Sequence, residues 1–305
     1  MKRFEGLIAA PFAPMNGRGE VMYDRIESYY DFLDKNKVVG AFINGSTGEG
    51  VSLSQKEKMK ITEEWTRRAK VRKTVKVISL VGGTSYVECI ENAIHAQESG
   101  VCAIALLAPY YFKPATAKQL AEFVSKVAGK VPDLPVYFYH IPVLSGCNVP
   151  MLEFLKEAAL YIPNLVGIKY THEDFMDFLS CTHLMDGKYE MMWGRDENML
   201  SALILGTRSA VGSTFNYAAP IYLQMIEAFD RGDFASARKL QQQSINMIML
   251  LGKYGGIATG KAYMKYVGFD CGEFRSPVKN MGENKYEKFK EDVLSLDMEH
   301  LFSRF

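Results

Sequence analysis

The chain has 305 residues, 48% of them hydrophobic and 23% charged, with a net charge of +1 at pH 7. That length suits one large barrel or two ordinary domains and is too great for a small stapled module. Acids and bases are mixed along the sequence, so nothing in the charge points to nucleic acid or an anionic membrane as partner.

The N-terminal segment opens on cations, but Pro11 and Pro14 cut its apolar run short, so it does not read as a signal peptide. No apolar stretch reaches the ~20 residues a membrane helix needs, and the expectation is a cytoplasmic protein. Cys89, Cys102, Cys147, Cys181 and Cys271 are odd in number, widely spaced and free of any Cys-x-x-Cys. They predict free thiols in a reducing compartment rather than a disulfide framework or a structural zinc site. His95, His140, His172, His183 and His300 lack metal-ligand spacing.

A first β-rich run covers 7–12 and a second covers 40–44. The second leads into Asn44-Gly45-Ser46-Thr47-Gly48-Glu49-Gly50. A glycine-rich turn with hydroxyls and free backbone N–H groups suits a carboxylate or phosphate, although the same residues also build ordinary turns. A helix is predicted over 54–70, where Ser54 and Glu57 form a capping-box pattern and Met59, Ile61 and Trp65 stand among charges. A third strand (75–81), a helix (84–98) and a fourth strand (103–107) follow, the last ending in Ala108-Pro109-Tyr110-Tyr111-Phe112. After a helix over 116–128, the fifth strand (135–139) places Tyr137 and Tyr139 on one face.

A helix over 151–161 precedes the sixth strand, 165–169, continued by Tyr170 and Thr171. Lys169 shares a face with Leu165, Gly167 and Thr171, and Gly167 is expected to leave room beside it. An ammonium in a strand buried on both faces is costly, so this lysine is expected to have a depressed pKa and to carry the free amine a Schiff-base nucleophile requires. The plainer alternative is a structural salt bridge. His172-Glu173-Asp174 reads as a helix start, with the helix running to 185. The seventh strand (190–193) ends at Gly194-Arg195-Asp196-Glu197, and the eighth (209–212) at Ser213-Thr214-Phe215-Asn216. The adjacent carboxylates either cap the next helix or accept hydrogen bonds from sugar hydroxyls.

Eight such units, several apolar almost throughout, predict a parallel (β/α)8 barrel. An open doubly wound sheet is the rival, but no Gly-x-Gly-x-x-Gly follows the first strand. The eighth unit ends near Asp230; helices over 234–251, 258–267 and 285–296 are expected as a C-terminal extension (231–305) packed on a catalytic barrel (1–230).

In combination, these residues resemble the family of pyruvate-dependent class I aldolases that contains N-acetylneuraminate lyase and dihydrodipicolinate synthase. Gly45-Ser46-Thr47-Gly48-Glu49 is similar to its pyruvate-carboxylate loop, Tyr139-His140-Ile141-Pro142 to its catalytic tyrosine motif and Gly167-Ile168-Lys169 to its Schiff-base motif. Leu144 stands where the synthase branch has a carboxylate-binding arginine. The segments 194–197 and 212–216, with Thr171, look like the sialic acid lyase branch. His140 departs from the asparagine common in the family but matches animal-type lyases.

The resemblance implies reversible cleavage of N-acetylneuraminate to N-acetylmannosamine and pyruvate, with Lys169 as Schiff-base nucleophile, Tyr139 as proton shuttle and Ser46 as its relay. It further implies a Tyr111 that reaches in from a neighbouring subunit, and a carboxylate site at Thr47 and Gly48. Gly194, Asp196, Glu197 and Ser213 would face the polyhydroxy tail, and Thr171 the C4 hydroxyl. No metal or organic cofactor is implied, and the expected assembly is a homotetramer. Another aldolase of the family (the synthase itself or a 2-keto-3-deoxy sugar acid aldolase) or a non-catalytic pyruvate- or sugar-acid-binding regulator is the alternative.

Overall fold

The computed structural model describes residues 3–305, so the first residues of the N-terminal segment lie outside it. Its eight strands are β1 (Gly6–Ala9), β2 (Gly40–Ile43), β3 (Lys76–Leu80), β4 (Ala103–Leu107), β5 (Val136–His140), β6 (Leu165–Tyr170), β7 (Glu190–Trp193) and β8 (Ser209–Gly212). Each pairs in parallel with the next, and β8 pairs with β1 to close the barrel. Every run predicted from the sequence is a strand. β1 stops short of the predicted end because Pro11, two residues on, has no N–H for the ladder.

The helices are α1 (Arg25–Lys35), α2 (Gln55–Arg72), α3 (Tyr86–Ser99), α4 (Ala117–Ala128), α5 (Pro142–Ser145), α6 (Met151–Tyr161), α7 (Phe175–His183), α8 (Met199–Ile204), α9 (Phe215–Asp230), α10 (Phe234–Tyr254), α11 (Ala258–Tyr266) and α12 (Glu283–Ser295). The capping box at Ser54 and Glu57 starts α2, and Asp174 caps α7 through the backbone N–H of Asp177. Four helices, α1, α5, α8 and α9, were not individually predicted. No side-chain cap marks their starts, α5 and α8 are short, and Pro220 interrupts the periodicity of α9.

The sheet separates two apolar layers. Ile8, Phe42, Ile78, Leu80, Leu107, Tyr137, Tyr139, Met192 and Val211 fill the barrel, while the opposite strand faces pack against the helices. Coverage on both faces is why the strand runs are apolar rather than alternating. In register, Tyr139 pairs with Lys169, and Lys169 with Met192, so the phenol and the amine start from adjacent strands at one level.

Gly167 serves a different purpose from the one expected of it. A Cβ there would overlap the carbonyl oxygen of Glu190, so the space beside the β6 backbone is filled by β7 and is not held open for Lys169. Glu190 is itself buried, and its carboxylate accepts hydrogen bonds from Tyr137 Oη (2.6 Å), Ser209 Oγ (2.9 Å) and the Phe4 N–H (2.9 Å). One carboxylate thus ties β5, β7, β8 and the N-terminal segment together.

Gly167→Ala is expected to destabilise the protein by about 2 kcal/mol or more in denaturant unfolding, the range of overpacking in a closed site. Gly252→Ala, in α10 with nothing near its missing Cβ, is expected to stabilise by about 0.5–1 kcal/mol. Equal unfolding midpoints for the two variants would contradict this packing.

Candidate active site

Lys169 is 4% exposed at the C-terminal end of β6. Its Nζ lies 3.9 Å from the ring centroid of Tyr139 and 4.1 Å from that of Phe42. Burial lowers its pKa to about 7, with the charge of Asp196 opposing. Roughly half of such a group is free amine at neutral pH, whereas an ordinary surface lysine is almost wholly protonated. The two ring faces form surroundings in which a positive charge at the same nitrogen is tolerated.

The Tyr139 phenol is buried. Burial raises its pKa to about 12, and the hydroxyls of Ser46 and Thr171 act in the opposite direction. Neither is locked to the phenol by a well-formed bond, and Thr171 Oγ1 is a buried oxygen without a hydrogen-bond partner among the described residues. Phe42 packs edge-on against Tyr139, with centroids 5.5 Å apart, and fixes the ring from the side of the barrel interior.

The loop after β2 folds back on itself. Asn44 and Glu49 both have left-handed backbones (φ 59 and 58), and the Gly50 N–H donates to Gly45 O at 3.0 Å. The loop is tight at its glycines: a Cβ on Gly48 would come within 2.9 Å of Pro11 O, and one on Gly50 would overlap Asn44 O. The backbone N–H groups of Ser46, Thr47 and Gly48 find no backbone acceptor among the described residues. Three successive donors without an acceptor suit an anion.

Across the barrel mouth, Asp196 is buried in a 3-10 turn, and its Oδ2 accepts from the Thr214 N–H (3.0 Å) and hydroxyl (2.6 Å). Burial raises its pKa to about 6 against the pull of those bonds and of Lys169. A Cβ on Gly212 would overlap this carboxylate, and a Cβ on Gly194 would overlap the Thr171 hydroxyl. Both glycines therefore make room for a neighbour's polar group. Glu197, next in sequence, is half-buried and paired with Arg195 at 2.6 Å. The two carboxylates face different surroundings, the first coupled to Lys169 and the second to an arginine at the rim. Ser213 is partly buried between Gly212 and Thr214.

Two predicted site residues stand apart from this cluster. Tyr111 is 77% exposed and meets the ring of Phe112, itself 86% exposed, edge-on. Leu144, in α5, is 64% exposed. His140 faces away from Lys169 and contacts Tyr170 and His172; burial and the nearby His172 push its pKa down to about 3.

Sequence reasoning missed Phe42 and Thr214. Phe42 lies in an apolar strand run where an aromatic reads as core, and its alternation with Gly40 was the available signal for the inner face. Thr214 stood in a recognised segment, but its contact with Asp196 is a tertiary fact. The five cysteines are free thiols. Among the described residues, no group of three or more His, Cys, Asp or Glu side chains gathers as a metal site, and no helix is long and apolar enough to cross a membrane.

The arrangement brings together an amine with a lowered pKa, a buried phenol with two hydroxyl neighbours, a loop with unpaired backbone N–H groups and a carboxylate, all at the C-terminal ends of the strands where barrels of this kind carry their chemistry. Comparison with known proteins agrees with that chemistry. The model of the dihydrodipicolinate synthetase family matches residues 3–296. The chain is 38% identical to the N-acetylneuraminate lyase of Homo sapiens over 302 residues, covering 97% of this chain and 93% of that one. Among solved structures, Proteus mirabilis N-acetylneuraminate lyase superposes with a TM-score of 0.94 at 34% identity, covering 97% of this chain and 99% of that one. The enzyme of Aliivibrio salmonicida, a sialic acid aldolase, gives the same TM-score at 33% identity, with 97% and 98% covered.

Reductive alkylation by formaldehyde and cyanoborohydride, quantified at Lys169 by peptide mapping, is expected to rise with pH through a midpoint near 7. Asp196→Asn is expected to move that midpoint lower, because the carboxylate charge favours the ammonium. A parent midpoint near 10, like that of surface lysines, would show that burial does not free the amine.

Proposed function

The chain belongs to the dihydrodipicolinate synthetase family, and from that premise we propose that it is a class I aldolase cleaving N-acetylneuraminate reversibly to N-acetylmannosamine and pyruvate. The observation that carries this reading is the amine of Lys169, buried between two rings with its pKa brought down to about 7. The amine attacks the C2 keto group of the open-chain sugar acid, and loss of water leaves an iminium ion. That cation is the electron sink. Removal of the proton on the C4 hydroxyl breaks the C3–C4 bond and releases N-acetylmannosamine. The remaining enamine takes a proton at C3, and hydrolysis returns pyruvate and the free lysine. The lysine itself supplies the carbanion stabilisation, so the scheme calls for no cofactor.

Each other residue has a part suggested by its surroundings. The free N–H groups at Ser46, Thr47 and Gly48, with the Thr47 hydroxyl, hold the carboxylate and turn C2 towards Lys169. Tyr139 moves the proton. With a pKa near 12 it serves as donor and acceptor within a relay, and Ser46 and Thr171 are the hydroxyls placed to complete it. The unpartnered Thr171 Oγ1 is the group free to meet the C4 hydroxyl. Asp196, whose Oδ2 is occupied by Thr214, has Oδ1 left for a sugar hydroxyl, and Glu197 and Ser213 line the outer end beside Gly194.

Leu144 offers no charge to a second carboxylate, which favours a polyol substrate over the aldehyde acid of the synthase branch. We place Tyr111 in the site of a neighbouring subunit within a homotetramer, because its exposed ring, with Phe112, is otherwise a large apolar surface left in water. The five unpaired thiols accord with a cytoplasmic setting.

Incubation with N-acetylneuraminate is expected to yield pyruvate and N-acetylmannosamine in equal amounts. Release of pyruvate from other sugar acids but not from this one would reassign the substrate. Lys169→Ala should abolish both turnover and borohydride trapping of labelled pyruvate, whereas trapping retained at that site would remove Lys169 from the chemistry. Tyr139→Phe should still trap pyruvate while losing about 10²–10⁴-fold in cleavage. Cleavage equal to the parent's would exclude Tyr139 as the proton carrier.

A further inference from the structure

Glu49 follows the three free N–H groups of the β2 loop directly, and it is not solvated. It is 4% exposed, with one carboxylate oxygen 2.9 Å from Lys261 Nζ and the other accepting the Arg275 N–H at 2.8 Å. Lys261, in α11, is 3% exposed and also donates to Glu273 O at 2.7 Å, beneath the ring of Phe274. Arg275 continues the tie through its guanidinium, which donates to Ser52 O, Gly19 O and the Glu57 carboxylate. The start of α11 is seated on the same region, since a Cβ on Gly260 would overlap the ring of Phe12.

Two physical points separate this pair from ordinary packing. A buried ion pair loses hydration on both sides, and apolar residues of equal volume would stabilise the fold at least as well. What the pair adds is one geometry in place of many. Glu49 also holds a left-handed backbone, φ 58, where glycine is the least strained residue.

We propose that Lys261 and Glu49 are positioning residues for the β2 loop: the salt bridge from the C-terminal helices pins the residue next to the Ser46–Thr47–Gly48 donors and so holds those donors in one arrangement for the substrate carboxylate. Neither residue touches the substrate. The pair acts on how well the carboxylate is held, and so on half-saturation by pyruvate rather than on the chemical step at Lys169. This rests on the reading of that loop as the carboxylate site.

The test is reductive trapping of pyruvate as a function of its concentration, in full-length parent, Lys261→Met, Lys261→Arg and the double variant Glu49→Gln/Lys261→Met, each with a thermal melt. In Lys261→Met, half-saturation is expected to rise about tenfold or more, with the limiting trapping rate within about twofold of the parent. Lys261→Arg is expected to recover most of the loss. The double variant removes both charges, so no lone charge remains to unfold the protein, and it is expected to keep the raised half-saturation because the loop is no longer pinned. A double variant that melts cooperatively and saturates like the parent overturns the proposal, as does a Lys261→Met that only melts lower. Failure of the parent itself to trap pyruvate would instead overturn the functional reading.

Discussion

An amine removed from water without a salt-bridge partner is the constraint on which this protein turns. Lys169, only 4% exposed, cannot stay fully protonated without cost, because burial strips the ammonium of water. The protein does not neutralise it with an adjacent carboxylate. It leaves Asp196 close enough to oppose the loss of charge and ties that carboxylate to Thr214 instead. The outcome is an amine that titrates near neutrality in surroundings that also accept a cation at the same nitrogen.

The barrel makes this placement possible. Strand register puts Tyr139 and Lys169 side by side, and closure of the sheet buries both. Glycine does the fine fitting. Gly167 admits the β7 backbone, Gly194 admits the Thr171 hydroxyl and Gly212 admits the Asp196 carboxylate. Polar groups from β6, β7 and β8 therefore converge because their neighbours lack side chains. Around the other half of the mouth, the β2 loop presents unpaired N–H groups and is held from behind by the C-terminal helices through Glu49.

Much of this was legible in the sequence. Each strand is a short apolar run, because both faces of a parallel barrel are covered, and α2, α3, α4, α6 and α7 have a readable start or period, whereas α1, α5, α8 and α9 begin without a side-chain cap. Lys169 was conspicuous as a cation at the end of such a run, and the glycine-rich turn at residues 45–50 was conspicuous by composition. What could not be read depends on partners distant in the chain. Glu49 meets Lys261 more than 200 residues later, and the space by Gly167 belongs to a neighbouring strand. Asp196 and Glu197 looked like one acidic pair, but the 3-10 turn that contains them sends consecutive side chains to different surroundings. Phe42 was indistinguishable from core until the lysine was seen over its ring.

A single lysine inside the barrel, Lys169, is expected to form a covalent imine with a 2-keto acid. Mass spectrometry of proteolytic peptides after cyanoborohydride reduction with labelled pyruvate tests it directly. One reduced adduct per chain, confined to the peptide that contains Lys169, is the expected result. Adducts spread over surface lysines in proportion to exposure, with Lys169 unmodified, would contradict it.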